Sequence, residues 1–407
     1  MPTPSGFSIW HIAFRPFFLF ASLFVFAALL LWLLVLSGEV GNFQPYSGWF
    51  IWHGHEMVFG FVQAIAVGFL LTASRNWTGQ PGVSKRFIQI LFIVWLLARL
   101  GWLWAGIPAW LLASLDVITP LLAAAGLANT LSAGEQASHS DNQSHNWPFV
   151  GLLLGLAIFQ AIYHYLLYFH SPYIATLQRV AALIMMAMTF WVSGRVVPFF
   201  TRLRLKTPVV AIPELLKHTT MTLTWLLVPV YLLQALLQQM GIHEIAQLLE
   251  YALALCAVLA VTGHLGLLRL FYQRGVFSEP MLWSLYLAYL WLMVGLLLLA
   301  LTPWAATPWL HAITMGGLFA MILAMMARIS LGHTGRKITA LRGMSLVFVA
   351  IQCAVVIRLL PDLGLAAVID HLTAYRLAAT LLLVGLATFL YHYLPILLRP
   401  RADGKPG

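Results

Sequence analysis

Long apolar runs, separated by short polar segments, follow one another along almost the entire chain. An α-helix rises about 1.5 Å per residue, so about 20 apolar residues cross the hydrocarbon core of a bilayer. The segments that meet this requirement are residues 17–37, 52–73, 87–104, 109–130, 148–169, 178–198, 219–240, 245–270, 281–302, 308–329, 341–360 and 374–397. The pattern predicts an all-α, polytopic membrane bundle of about 12 transmembrane helices, with residues 1–407 forming a single membrane domain.

The composition agrees with a membrane protein. Of the 407 residues, 61% are hydrophobic and 8% are charged, whereas a soluble domain carries about 25% charged residues. These values exclude extended disorder, a secreted disulfide scaffold and a nucleic-acid-binding module. Both cysteines, Cys256 and Cys353, lie inside apolar runs, which also excludes a cysteine-type zinc site.

The distribution of basic residues predicts the orientation of the chain. If the N-terminus is inside, 18 of the 22 Lys and Arg residues fall on the inner side. Three arginines, Arg179, Arg358 and Arg376, fall near the outer side, and Arg99 lies within the third predicted span. The positive-inside rule therefore places both termini in the cytoplasm.

Arg99 has a candidate partner in Asp116. The two residues lie on consecutive predicted spans that are joined by a short turn, at similar distances from the outer ends of those spans. Because an ionisable side chain within a span is costly unless it is paired, we predict an ion pair. We interpret this pair chiefly as a packing clamp between the two helices.

The start of the second predicted span carries an unusual concentration of polar residues. On a regular helix His53 and His55 point about 160° apart, so they are not expected to bind one metal together. His53 shares a helix face with Glu56 and with the small residues Gly60 and Ala64. This stripe has two interpretations: space for a flat macrocycle below His53, or a close helix–helix contact.

A further histidine suggests a site near the outer face. His311 begins the tenth predicted span at the outer rim, where it is expected to meet His53 or His55. Neutral imidazole is an axial ligand of haem iron, and it also binds copper and non-haem iron. We therefore predict a metal site formed by His311 with His53 or His55, with haem iron as the first choice and Glu56 as a proton donor or further ligand.

Two other histidines, His264 and His333, lie nearer the inner side and are candidates for a separate metal site. Sites at two depths would suit electron transfer across the membrane. The remaining histidines in or beside spans are expected only to hydrogen-bond to backbone or lipid headgroups: His164, His170, His218, His371 and His392. The chain contains no CxxCH motif, so a haem would be held without a covalent thioether link.

Five motifs spread over most of the chain carry a family resemblance. They are FRPFF at 14–18, WHGHEMVFGFVQAIAVGFLLTASRNWTG at 52–79, GR at 194–195 with PFFT at 198–201, HLGLLRL at 264–270 with EPMLW at 279–283, and HAITMGGLFAMILAMMARISLGHTGR at 311–336. In these motifs the chain resembles the NnrS family, bacterial haem- and copper-containing membrane proteins of the nitric-oxide response.

The resemblance implies haem b, with copper or non-haem iron as a second metal, and a multi-pass protein of the bacterial inner membrane that responds to nitric oxide. One departure is Tyr286, at a position where a histidine is expected in many relatives, so Tyr286 is not expected to be a shared ligand. Among the outer arginines, Arg358 and Arg376 are expected to help to bind the cofactor. At least one outer arginine should bond a haem propionate or a buried carboxylate, because such a fork–fork pair would explain its position.

Three functions are consistent with these features. The first, which we favour, is an oxidoreductase that removes nitric oxide, such as a nitric-oxide reductase, with a quinol or a small redox protein as electron donor. The second is a protein that binds haem or nitric oxide for protection or sensing, without turnover. The third is a 12-span transporter. The expected partners are nitric oxide and the lipid bilayer, and no nucleic acid.

Overall fold

The computed structural model describes residues 9–138, 146–303 and 305–404, and all of the regular structure in these ranges is helical. In the described ranges the long helices are α1 (Phe14–Ser37), α2 (Trp49–Thr78), α3 (Lys85–Trp102), α4 (Ala109–Ser138), α5 (Trp147–Tyr168), α6 (Ile174–Leu205), α7 (Glu214–Gln239), α8 (His243–Phe271), α9 (Pro280–Leu301), α10 (Pro308–His333), α11 (Met344–Leu359) and α12 (His371–Leu398). Short 3-10 turns at Val276–Ser278 and Pro361–Leu363 lie between them.

Each of the predicted spans lies on one of these helices, which confirms the prediction of an all-α polytopic membrane bundle. Ten of the helices in the described part of the chain are long and apolar enough to cross a membrane. The other two are α3, which carries Lys85, Arg86 and Arg99 within its 18 residues, and α11, which has 16 residues.

Two of the long helices contain a π-helical stretch. In α2 it covers Glu56–Val62, and in α10 it covers Ala312–Phe319. Each stretch begins at the residue directly after a histidine, His55 or His311. A π-helical turn contains more residues than an α-helical turn, so it changes the direction of the side chains that follow, and such turns are frequent at functional sites.

The chain divides into two compact units. The first unit comprises Met1–Ile174, Ile329–Ile338 and Phe389–Gly407, and the second comprises Ala175–Arg328 and Thr339–Thr388. That the whole chain acts as a single membrane domain stays a prediction.

In the first unit, small residues of α2 allow close contact with neighbouring side chains. A Cβ atom added to Gly68 would lie 2.7 Å from Cβ of Phe17. A Cβ atom added to Gly60 would lie 2.9 Å from both the Phe24 ring and the Arg99 guanidinium. The glycine stripe is therefore a close packing surface, as the second interpretation predicted, and the space for a flat ring that the first interpretation required is filled by side chains.

The start of α1 and the end of α12 meet in the first unit through Arg15. This side chain is fully buried, and its Nη1 atom donates to the carbonyl oxygens of Leu397, at 2.9 Å, and Arg399, at 2.7 Å. A cation at the C-terminal end of α12 stabilises the helix dipole and satisfies carbonyl groups that have no partner within the helix. The start of α1 and the end of α12 therefore lie on one side of the unit, as an even number of spans requires.

In the second unit, glycines allow α9 to pack tightly against the π-helical stretch of α10. A Cβ atom added to Gly316 would lie 2.5 Å from the Trp291 ring, and one added to Gly317 would overlap Leu292. Side chains larger than hydrogen at these positions would force the two helices apart.

Candidate metal centre

The centre of the candidate site is a pair of adjacent residues on α2. His55 and Glu56 are both fully buried, and Nδ1 of His55 lies 2.9 Å from Oε1 of Glu56. A π-helical stretch begins at Glu56 and changes the angular spacing of the residues that follow, so the predicted face from His53 through Glu56 to Gly60 and Ala64 does not continue as a regular helix face. The His53 ring instead stacks on Trp32, with ring centroids 4.3 Å apart.

Arg99 on α3 joins two carboxylates. Its Nη1 atom contacts Glu56 and its Nη2 atom contacts Asp116 of α4, so the predicted Arg99–Asp116 ion pair is confirmed. Trp102, one turn after Arg99 on α3, donates from Nε1 to Oδ2 of Asp116 at 2.7 Å. Asp116 is thus held on both oxygens by groups from the antiparallel helix.

His164 of α5 completes the cluster. Its Nε2 atom lies 2.9 Å from Oδ2 of Asp116, and its side chain is 5% exposed. The prediction that His164 only contacts backbone or headgroups is therefore wrong. The sequence contained a signal for this contact. His164 lies four residues before the end of α5, which is similar to the distances of Arg99 and Asp116 from the ends of their predicted spans.

Three atoms of this cluster are arranged as metal ligands. One ligand atom each from His55, Asp116 and His164 lie within 4.8 Å of one another, and no other group of three or more His, Cys, Asp or Glu residues in the described ranges meets this criterion. Within the same ranges, Nε2 of His55 has no hydrogen-bond partner and lies 3.6 Å from Oδ2 of Asp116. Because Nδ1 contacts Glu56, Nε2 is the His55 atom that could bind a metal, and a carboxylate behind a histidine is common at metal sites.

The charges of the cluster also favour a cation. With neutral imidazoles, the carboxylates of Glu56 and Asp116 outnumber the guanidinium of Arg99 by one negative charge. An uncompensated charge in a buried site is costly. A bound metal ion, or a proton, supplies the missing positive charge.

The surroundings of His55 fit a single ion and do not fit a haem. The His55 ring centroid lies 4.0 Å from the Trp102 ring, 5.0 Å from Phe59 and 5.3 Å from Tyr163. Asp116 and His164 occupy the side to which Nε2 points. Two imidazoles and one carboxylate, with further positions left for a small ligand, are the donor set of non-haem Fe(II) sites, and imidazole also suits copper.

The other predicted outer ligand, His311, belongs to the second unit. Its Nδ1 atom lies 3.2 Å from Nη2 of Arg358 and 3.1 Å from the carbonyl oxygen of Thr307. Arg358 also contacts the Asp362 carboxylate at 2.6 Å, and that carboxylate is 10% exposed. Arg358 thus has an acidic partner, as expected of at least one outer arginine, but the Asp362 carboxylate is partly exposed and not fully buried. The predicted site shared by His311 with His53 or His55 stays a prediction.

The two predicted inner histidines have different environments. His264 is fully buried, with Nε2 2.9 Å from the Thr224 hydroxyl, Nδ1 2.7 Å from the Tyr289 hydroxyl and its ring stacked on Phe190. Both of its ring nitrogens therefore lie within hydrogen-bond distance of a hydroxyl group, and no cluster of metal-ligating residues in the described ranges includes it. His333, in the first unit, packs beside Phe14, with ring centroids 5.4 Å apart. A joint inner site stays a prediction.

Two further outer arginines and Tyr286 belong to the second unit, and not to the cluster around His55. Arg179 donates from Nη2 to the carbonyl oxygen of Ala305 at 2.8 Å. Arg376 lies in the first turns of α12, partly buried, and its predicted role in cofactor binding stays a prediction. The Tyr286 hydroxyl donates to the carbonyl oxygen of Phe271 at 2.6 Å, which gives this side chain a packing role.

Comparison with known proteins agrees with the resemblance that the motifs indicate. A protein-family model described as "NnrS protein" matches residues 8–401, nearly the whole chain. No curated protein matched the chain.

Proposed function

Because the chain belongs to the NnrS family, membrane proteins of the nitric-oxide response, we propose that it removes nitric oxide at a metal ion held by His55, Asp116 and His164. The observation that carries this proposal is the convergence of three ligand atoms around an Nε2 atom that has no hydrogen-bond partner in the described part of the chain. We place the protein in the bacterial inner membrane, with an external electron donor such as a quinol or a small redox protein.

Non-haem iron is the first choice of metal and copper the second. A two-histidine, one-carboxylate set with open positions is typical of non-haem Fe(II). Such an ion would supply a binding position for nitric oxide and a path for electrons. Haem, which the resemblance implies, does not fit the His55 site, so no role at this site is assigned to it. His311, which lies beside Arg358, is the better candidate for a haem ligand.

The residues around the ligands have distinct roles in this proposal. Glu56 orients the His55 ring through Nδ1. Its second oxygen, Oε2, is buried and has no hydrogen-bond partner in the described ranges, so Glu56 can hold the proton that the reduction of nitric oxide consumes. Arg99 fixes both carboxylates, and the aromatic rings around His55 keep water away from the reacting groups.

The experiment that tests this function is anaerobic nitric-oxide consumption by purified protein with an artificial electron donor. We expect turnover by the unaltered chain and by His170→Asn, which changes an exposed histidine at the end of α5. His164→Ala should lower the rate at least 100-fold, since a missing ligand empties the centre.

The outcomes separate the alternative functions. If the protein binds nitric oxide stoichiometrically without turnover, and His164→Ala abolishes this binding, the protein has a binding or sensing function. If protein that retains its metal neither binds nor consumes nitric oxide, the proposal is contradicted. A transporter is then the function to test.

A further inference from the structure

A second feature of the chain, apart from the metal centre, is a buried tyrosine–histidine pair in the second unit. Tyr289 of α9 and His264 of α8 are both fully buried, and the Tyr289 hydroxyl lies 2.7 Å from Nδ1 of His264. Next to His264, a Cβ atom added to Gly263 would overlap the Thr220 hydroxyl of α7. This glycine therefore allows α8 to pack closely against α7, which brings His264 to Thr224.

The hydrogen bonds around His264 determine which group is the donor in the pair. Thr224 has one hydroxyl hydrogen, and it donates this hydrogen to the carbonyl oxygen of Thr220 at 2.8 Å. The Thr224 oxygen is therefore an acceptor for Nε2 of His264, which lies 2.9 Å away, so Nε2 carries the hydrogen of the neutral ring. Nδ1 is then an acceptor, and the Tyr289 hydroxyl donates to it.

A second buried tyrosine on the same helix shows what distinguishes Tyr289. Tyr286 is 3% exposed, and its hydroxyl donates to the carbonyl oxygen of Phe271 at 2.6 Å. A backbone carbonyl oxygen accepts a hydrogen bond but is too weak a base to take the proton, whereas neutral imidazole is a base. Of the two tyrosines, Tyr289 is thus the one whose partner can take the hydroxyl proton.

The surroundings of His264 suit a ring that gains a proton. The ring stacks on Phe190 of α6, with centroids 3.6 Å apart and planes inclined by 14°, and the face of an aromatic ring attracts a cation. In the protonated ring, the Nε2–H group keeps its bond to Thr224. Because both members of the pair are fully buried, a proton that leaves Tyr289 is held on His264 and is not lost to water.

We propose that Tyr289 is a redox-active side chain, which gives one electron to a small, uncharged radical oxidant dissolved in the membrane, such as nitrogen dioxide. In this step the O–H bond of Tyr289 breaks, its proton passes to Nδ1 of His264, and its electron reduces nitrogen dioxide to nitrite. A neutral tyrosyl radical and an imidazolium remain. One electron from a reduced small redox protein then restores the tyrosine, which takes the proton back from Nδ1.

The burial of the pair explains both the proton acceptor and the class of oxidant. Without a base, the loss of an electron would leave a positively charged tyrosine in apolar surroundings, which is costly. Transfer of the proton to His264 places the charge instead on a ring that is stacked on Phe190 and bonded to Thr224. An ionic oxidant would have to lose its water to approach a buried site, whereas an uncharged radical dissolves in the membrane.

The proposal is tested by electron paramagnetic resonance of the purified full-length protein after a pulse of nitrogen dioxide. A water-soluble reductant then removes radicals at exposed tyrosines before the sample is frozen. We expect a tyrosyl signal that Tyr289→Phe abolishes and that Tyr286→Phe, the matched control, retains. His264→Gln, which accepts a hydrogen bond but not a proton, should slow radical formation about 100-fold, since a positioned proton acceptor contributes at least this much.

Two measurements on the unaltered chain identify the radical without any variant. Ring-deuterated tyrosine should narrow the signal, which assigns it to a tyrosine. Histidine labelled with the heavy isotope of nitrogen should change the nuclear couplings of the radical, because the protonated Nδ1 donates a hydrogen bond to the oxygen of Tyr289. A signal without coupling to a histidine nitrogen would overturn the proposal.

The remaining outcomes separate this proposal from the function proposed above. His164→Ala removes a ligand of the proposed metal centre in the first unit and should retain the radical signal, so failure of that centre leaves this result unchanged. A signal that persists in Tyr289→Phe, equal losses in the two tyrosine variants, an unchanged rate in His264→Gln, or loss of the signal in His164→Ala would each contradict the role of Tyr289.

Discussion

The two units of the chain each contain a histidine that directly precedes a π-helical stretch, and the two sites differ in their charges. His55 and His311 are each followed by a glycine five residues later, Gly60 and Gly316. A second glycine follows each histidine after 24 residues. In both units an arginine near the end of the next helix reaches the site and contacts a carboxylate, Asp116 or Asp362.

The difference lies in the groups added to this shared arrangement. The residue after His55 is the buried Glu56, whereas the residue after His311 is an alanine. The second histidine of the first unit, His164, is 5% exposed, but its counterpart beside Asp362, His371, is 53% exposed. The first unit therefore adds a second carboxylate and a buried second imidazole to the π-helical stretch and the arginine that both units share.

The largest expected effect comes from removing the carboxylate in each unit. Asp116→Ala leaves Arg99, Trp102 and His164 without a shared acceptor, and should lower the free energy of unfolding by about 3–5 kcal/mol. Asp362→Ala should cost about 1–2 kcal/mol, because its partners are Arg358 and the exposed His371, fewer buried groups than those that lose an acceptor with Asp116. Denaturant unfolding in mixed micelles measures both, and equal losses would contradict the distinction between the two sites.

A smaller effect is expected from the carboxylate behind His55. Glu56→Gln keeps the shape of the side chain but weakens the hold on the His55 ring and on Arg99, so the metal affinity should fall about 10–100-fold. Titration of metal-depleted protein measures this change. Glu279→Gln, which alters a partly exposed ion pair in the second unit, is the control; a similar fall there would show that the effect is not local to the centre.

The packing of α2 gives an effect of lower magnitude. Gly60→Ala places a methyl group 2.9 Å from Arg99 and Phe24, and should destabilise the chain by about 1–3 kcal/mol. Gly155→Ala on α5, where a Cβ atom would meet nothing within 4 Å, should leave the free energy of unfolding unchanged or slightly higher. If Gly60→Ala were as well tolerated as Gly155→Ala, the close contact at the centre would be absent.

The smallest effect is expected at the exposed histidine of the second unit. His371→Ala removes a contact of 3.2 Å with Asp362 and should change the free energy of unfolding by less than about 1 kcal/mol, because the His371 side chain is 53% exposed. The metal content should stay the same. A loss of metal with this variant would show that the His311 site also binds an ion.

The helices and one ion pair of this fold were predictable from the sequence. The length of an apolar run and the distance of a residue from the end of its span can both be counted along the sequence. All of the predicted spans lie on helices, and Arg99 contacts Asp116. The orientation of His55 towards Glu56 was not predictable in the same way. A π-helical stretch begins at Glu56, and a regular angular period does not describe the side-chain directions of the residues that follow.

His164 was missed for a different reason. Its position near the end of a span matches the general expectation for a histidine at the membrane interface, and only the close approach of α5 to α4 shows that it contacts Asp116. The glycine stripe, in contrast, had two interpretations of equal weight, and the side chains that fill the space around Gly60 and Gly68 decided between them.

The most direct test of the central claim is the non-haem metal content of purified protein, obtained by elemental analysis after subtraction of any haem iron. The unaltered chain and His371→Ala should each contain a single non-haem metal ion, and His164→Ala should contain almost none while it remains folded in the membrane. An equal metal content in all three proteins would contradict the assignment of His55, Asp116 and His164 as the metal centre.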